Sequence, residues 1–225
     1  MSTIVIADQV RIPSWVNDLE SFRRWCRKDD CPERGWVSFL DGEIWVDMDM
    51  EQLFFHNRVK TQFTIVLGGL VESEELGYFF SDRVLQSNEN ANLSTEPDGN
   101  FCSFRAIEDG RVRLEEGFEG GHVEIEGTPD MVLEVVSRHS VRKDTEVLRK
   151  LYWRAGIPEY WLVDARKSLV QFDILSWTER GYSATRRRQG WVKSKVFGRC
   201  FLLETKPDRL GHPQFFLRME TAGPS

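Results

Sequence analysis

The run MVLEVV, residues 131–136, constrains the fold of this chain more than any other stretch. Its β-branched and aliphatic side chains read as a strand covered on both faces. Alternation places Val132, Glu134 and Val136 on one face and Met131, Leu133 and Val135 on the other. The segment SVRKDTEVLRKLYWRAG then reads as a helix, with Ser140 as its cap. Val141, Leu148, Leu151 and Tyr152 form its apolar side, and Gly156 follows its end. EYWLVD follows as a further strand. Strand, helix and strand over 131–137, 140–155 and 159–164 make a crossover unit, whose two strands lie parallel in one sheet.

The remaining pattern fits around that unit. Residues 14–28 read as an amphipathic helix capped by Ser14. GWVSFLDGEIWVDM reads as a hairpin turning at Asp41-Gly42. Residues 51–73 read as a long helix with Leu53, Phe54, Phe63, Val66, Leu67 and Leu70 on its apolar side. Short strands are expected around Phe79, 84–85, 101–104, 112–114, 122–125 and 169–175. The fold class is therefore α/β, a central mixed β-sheet flanked by α-helices. A chain of 225 residues without repeats or an evident linker suits one domain, 1–225.

Charge is unevenly spread. Residues 1–140 carry 13 Lys and Arg against 27 Asp and Glu, whereas 141–225 carry 17 against 9. The basic third includes Arg186, Arg187, Arg188, Lys193 and Lys195. Such a stretch contacts nucleic-acid phosphates, or it is a solvated edge that complements an acidic half. No apolar window reaches the roughly 18–20 residues of a membrane span, so no membrane partner is expected. The N-terminus lacks the marks of a signal peptide, and the expected location is cytoplasmic. Cys26, Cys31, Cys102 and Cys200 have no zinc spacing and read as reduced thiols. The chain holds neither a GxxxxGK[ST] phosphate loop nor a GxSxG elbow.

Glu134 stands out because an uncompensated carboxylate inside an apolar strand costs several kcal/mol, roughly. A basic partner, a cation or a wet cleft offsets that cost. Asp98, in STEPDGNF, follows a proline where the chain enters a strand. The two acids can thus lie on neighbouring strands at one end of the sheet. Two carboxylates on a rigid sheet, with room left for water, suit magnesium. The open alternatives are a paired structural Glu134 and a plain PDG turn at Asp98. Glu43, after the hairpin glycine, and His56, on the long helix, are further candidates at the sheet end.

TPDMVLEVVS, Asp144, Tyr152 and AGIPEYWLVD together resemble the Uma-type restriction endonuclease family, within the PD-(D/E)XK nuclease superfamily. The resemblance runs from about Gly35 to Asp173, with 174–225 as a basic, β-rich C-terminal extension. It implies a restriction-endonuclease-like fold and a metal site of Asp98 and Glu134 taking Mg2+ or Mn2+. Glu43 matches an upstream family glutamate, and His56 a family histidine. Two lysines are missing. The superfamily position two residues after the second acid is Val136, and the family position four residues after Asp144 is Leu148. Lys143 and Lys150 are the substitutes at hand, although ideal helical rotation aims neither at the face of residue 148. The resemblance implies a metal-dependent endonuclease hydrolysing phosphodiester bonds in DNA, with a homodimer favoured if both strands are cut. The alternative is a catalytically impaired module that keeps the fold and binds nucleic acid or protein.

Overall fold

The computed structural model describes residues 3–6, 10–28, 35–48, 50–166 and 169–221. The apolar run forms the strand Met131–Val135, all of it buried. It pairs in parallel with Glu159–Asp164, joined through the helical segment after Ser140. This confirms the crossover unit. On its other side it pairs antiparallel with Gly99–Ser103, which pairs in turn with Gly77–Ser81. Gln171–Ser176 and Ser183–Ala184 complete this six-stranded mixed sheet beyond Glu159–Asp164.

Both faces of Met131–Val135 are covered, as its composition requires. Met131, Leu133 and Val135 meet Phe63 and Leu67 of the helix Arg58–Ser73. Val132 faces Leu148, Leu151 and Tyr152 of the crossover helix. That helix is not regular. Lys143–Leu148 is π-helical and Arg149–Arg154 α-helical, and Gly156 takes a φ of 74° just past the end. A left-handed glycine there closes the helix without a Cβ clash.

A second six-stranded sheet accompanies the first. Its hairpin Trp36–Leu40 and Glu43–Asp47 turns at Asp41 and Gly42, with φ of 51° and 92°. Positive φ at both turn residues is the geometry that Asp-Gly favours. The basic C-terminal stretch forms an antiparallel four-stranded sheet whose Val192, Phe201, Phe215 and Leu217 join the core around Phe63.

Two local expectations are corrected. The first helix is Leu19–Arg27, capped by Asp18 and Ser21 rather than Ser14. The chain needs residues 10–13 for a strand and a turn from Pro13 to Val16 before it can enter the helix. Leu53 is 68% exposed instead of packing inside, because the long helix opens with a π turn, Leu53–Asn57, that shifts its phase. Cys102 is a buried thiol, and Cys31 lies outside the described residues.

Candidate active site

The register of the central pair places the two acids suggested by the sequence side by side. The ladder ends with Leu133 opposite Gly99, and Glu134 and Asp98 are the next residues along the two chains. Asp98 Oδ2 accepts a 2.7 Å hydrogen bond from the Val135 amide, which fixes the carboxylate against the strand that bears Glu134. Glu134 Oε1 accepts a 2.6 Å hydrogen bond from the Tyr152 hydroxyl. Tyr152 reaches it from the apolar side of the crossover helix, so the helix that covers the strand also holds its buried acid.

Asp144, from the π-helical turn, is the third acid. It is 2% exposed and accepts a hydrogen bond from the Ser140 hydroxyl. Its Oδ1 has no hydrogen-bond partner. Burial pushes the Glu134 carboxyl well up, and the charges of Asp144 and Asp98 push it further. Burial also raises Asp98, against the pull of His56 and Lys60. Asp144 is pushed up to about 7 by burial, although Lys143 and Ser140 act to lower it. For Lys143 burial acts to lower the ammonium, but Glu134, Asp144 and Asp98 outweigh it and the group is raised.

Asp98 has a further set of neighbours on its other side. Lys60, 5% exposed, sets its ammonium 3.5 Å from Asp98 Oδ1, 3.0 Å from Asp82 Oδ2 and against Glu51. Glu51 Oε1 lies at hydrogen-bond distance, 2.9 Å, from His56 Nδ1, and His56 Nε2 lies 3.7 Å from Asp98 Oδ2. Asp98, Glu134, Asp144, Lys143, Glu51 and His56 line one cavity of about 640 Å³.

The structure separates the other candidates from this group. Glu43 is exposed at the first position of its strand, and Asp47 at the far end of that strand lines the cavity in its place. Lys150 is exposed and does not line it. Leu148, where the resemblance led to a lysine being sought, is fully buried in the core. Lys143, at the start of the π-helical turn, lines the cavity beside the acids, and their charges raise its ammonium. Arg186, Arg187, Arg188, Lys193 and Lys195 are exposed on or beside the C-terminal sheet, away from the cavity lining. Arg187 is held by Asp173 at 2.9 Å and by the Phe172 carbonyl at 2.7 Å.

Sequence reasoning missed Lys60, Glu51 and Arg138, the last an exposed residue of the cavity lining. Lys60 carried a signal: it sits between Val59 and Phe63 on a helix, one turn after His56, where a lysine is buried only if acids receive it. Arg138 carried none, because it lies in the loop after the strand.

Among the described residues, no group of three or more His, Cys, Asp or Glu side chains is arranged to hold a metal ion. Magnesium needs fewer, since it keeps several waters and uses one or two carboxylates. The unpartnered Asp144 Oδ1 and the crowding of Asp98, Glu134 and Asp144 fit a divalent cation with a small protein ligand set.

A mixed sheet with a parallel crossover pair, acids at the end of its central strands and helices on its faces defines a restriction-endonuclease-like protein. The model of the Uma2 family, described as "Putative restriction endonuclease", matches residues 19–196, and the chain belongs to that family. A crystal structure from Anabaena variabilis, described as a "putative nuclease", shares the fold with a TM-score of 0.58 at 14% identity. The match covers 80% of this chain and 90% of that one. No curated protein matches the chain. Among the described residues, no helix is long and apolar enough to cross a membrane.

Proposed function

We propose that this chain is a metal-dependent nuclease that hydrolyses phosphodiester bonds in DNA. The observation that supports it most is the meeting of Asp98, Glu134 and Asp144 with the Lys143 ammonium at one cavity. Asp98 and Glu134 would hold Mg2+ or Mn2+, which when bound supplies a Lewis acid and offsets phosphate charge. Tyr152 holds Glu134 Oε1, and the Val135 amide holds Asp98 Oδ2, so neither acid has to reorganise. Lys143 takes the part of the absent lysine and faces the negative charge that grows on the phosphate. His56, oriented by Glu51 through Nδ1, keeps Nε2 toward Asp98 and the cavity as a proton carrier. The exposed Arg186, Arg188, Lys193 and Lys195 contact backbone phosphates outside the cavity. The whole chain acts as one domain, and double-strand cleavage would use a homodimer.

Plasmid nicking tests this reading. Wild type is expected to nick with magnesium or manganese and Glu134→Ala is not. Equal activity in both removes the proposal.

A second reading has one observation in its favour. Leu148 is sealed in the core at a family lysine position, and Val136 is buried at the superfamily one. An impaired module that binds nucleic acid without cutting it would follow. Salt-sensitive binding that survives Glu134→Ala, without cleavage by wild type, selects that reading.

A further inference from the structure

The cavity that holds the acids has an apolar entrance. Trp36, Met50, Leu53 and Phe54 line it together with Asp98 and Glu134. Met50 is 95% exposed and Leu53 68%, whereas Glu134 is 4% exposed. The acids therefore lie deep and the apolar side chains at the rim. Two of the rim rings have fixed planes. Phe54 stacks on His212 with centroids 4.3 Å apart and 15° between planes, and the Arg83 guanidinium lies 5.2 Å over Trp36.

A phosphodiester backbone has nothing to offer such a rim, but a nucleobase does. Base stacking on an aromatic side chain contributes about 1–3 kcal/mol and tolerates any sequence, because every base has a π face. In a duplex those faces are already stacked on each other. A base reaches this rim only when its strand is unpaired. The volume points the same way: about 640 Å³ lies in the range of pockets that engulf a small-molecule-sized ligand, not a length of duplex. Charge is placed to match. Arg138 is exposed at the same cavity, in the loop after the Glu134 strand, and among the described residues no carboxylate pairs with it. Lys143, less exposed than Arg138, lines the same cavity.

We propose that the rim of Trp36, Met50, Leu53 and Phe54, with Arg138, binds an unpaired nucleobase and its phosphate, so that the site takes single-stranded nucleic acid in preference to duplex. The cleavage part of this statement rests on the nuclease reading above; the binding part does not. The base packs against the rim, Arg138 holds the adjoining phosphate, and the next phosphodiester reaches the acids.

Binding and cleavage measured separately test it. A labelled single strand of roughly 12 nucleotides, the matching duplex and an abasic strand of the same length serve as probes. Binding is read by anisotropy in chelator and cutting in magnesium or manganese. The expected result is single-strand binding at least about tenfold tighter than duplex or abasic binding, and cutting in the same order. The double variant Met50→Ser, Leu53→Ser, both at exposed positions, lowers affinity for the base-bearing strand and leaves the abasic strand unchanged. Arg138→Ala weakens both strands. Duplex bound or cut as well as single strand overturns the inference, as does equal binding of the abasic strand, or no binding of any probe. Base-dependent binding with no cutting of any probe removes the nuclease reading and leaves the subsite standing.

Discussion

The Tyr152 hydroxyl donates a 2.6 Å hydrogen bond to Glu134 Oε1, and both side chains are buried at the end of the central strand. One neutral donor does not offset what burial and the neighbouring Asp144 and Asp98 do to this carboxyl, which is pushed well above its ordinary value. Such a group is retained at the expense of stability, as functional groups often are. Glu134→Gln keeps an acceptor for Tyr152 and removes the charge. In chelator near neutral pH it is expected to raise the melting temperature by about 2–4 °C, the shift for roughly 1 kcal/mol in a chain of this size. Thermal unfolding followed by circular dichroism checks this, and an unchanged or lower melting temperature contradicts it.

Lys143 and Lys150 stand seven positions apart and have different surroundings. Lys143 lies among Glu134, Asp144 and Asp98, while Lys150 is exposed to solvent. Lys143→Met is expected to lower metal-dependent cleavage on the order of 10²-fold, the usual loss of one preorganised donor. Lys150→Met and Glu43→Ala are expected to stay within about twofold of wild type, as surface changes. Plasmid nicking rates for the three variants decide whether the cation of this site has been assigned correctly.

That contrast shows where the sequence was legible. The alternation in MVLEVV placed Glu134 and the crossover unit fixed the parallel pair, because both depend on short-range periodicity. The proline before Asp98 placed the second acid at the start of a strand, opposite Glu134. The cations were not legible in the same way. The 100° steps of an ideal helix turn Lys143 away from the face of residue 148, but Lys143 opens a π-helical turn, in which each residue advances by less than that step. Glu43 follows a hairpin glycine, a place from which a side chain can reach the sheet end. The strand runs the other way, and Asp47 reaches the cavity. The C-terminal arginines formed a run in sequence and lie on a separate sheet in space.

Glu51 and Lys60 give the protein an acid-sensitive contact. Burial would raise the Glu51 carboxyl, but its bonds to Lys60, His56 and Asn57 prevail and hold it down to about 2 from 4.5. A depressed acid contributes stability above its unfolded value, and that contribution is lost as pH falls from 4.5 through about 2. Wild type should therefore lose stability over that window faster than Glu51→Gln does. Lys60 works in the opposite sense. Burial lowers it, Asp98, Glu51 and Asp82 raise it to about 12, and its contribution is lost as pH rises from 10.5 through about 12. Urea midpoints of both proteins across the acid window test the first statement. Parallel curves would show that the contact contributes nothing. Glu51 is partly solvated, so solvent screening keeps the difference small.

Cys102 supplies a control on the fold. It is fully buried, and burial with Asp130 nearby pushes its thiol up to about 12. The native protein is expected to leave it unmodified by a thiol reagent at neutral pH, and unfolding in urea should expose it. Mass spectrometry of the modified peptides reads this directly. Rapid labelling of Cys102 in the native state would mean that the Gly99–Ser103 strand, which follows Asp98, is not packed as described.

Asp98 and Glu134 are proposed to hold one divalent cation between neighbouring strands. Titration with Mn2+, followed by electron paramagnetic resonance, measures it without reference to cleavage. Wild type is predicted to take up manganese at a site that both Asp98→Asn and Glu134→Gln lose. The same uptake in all three proteins would contradict the account.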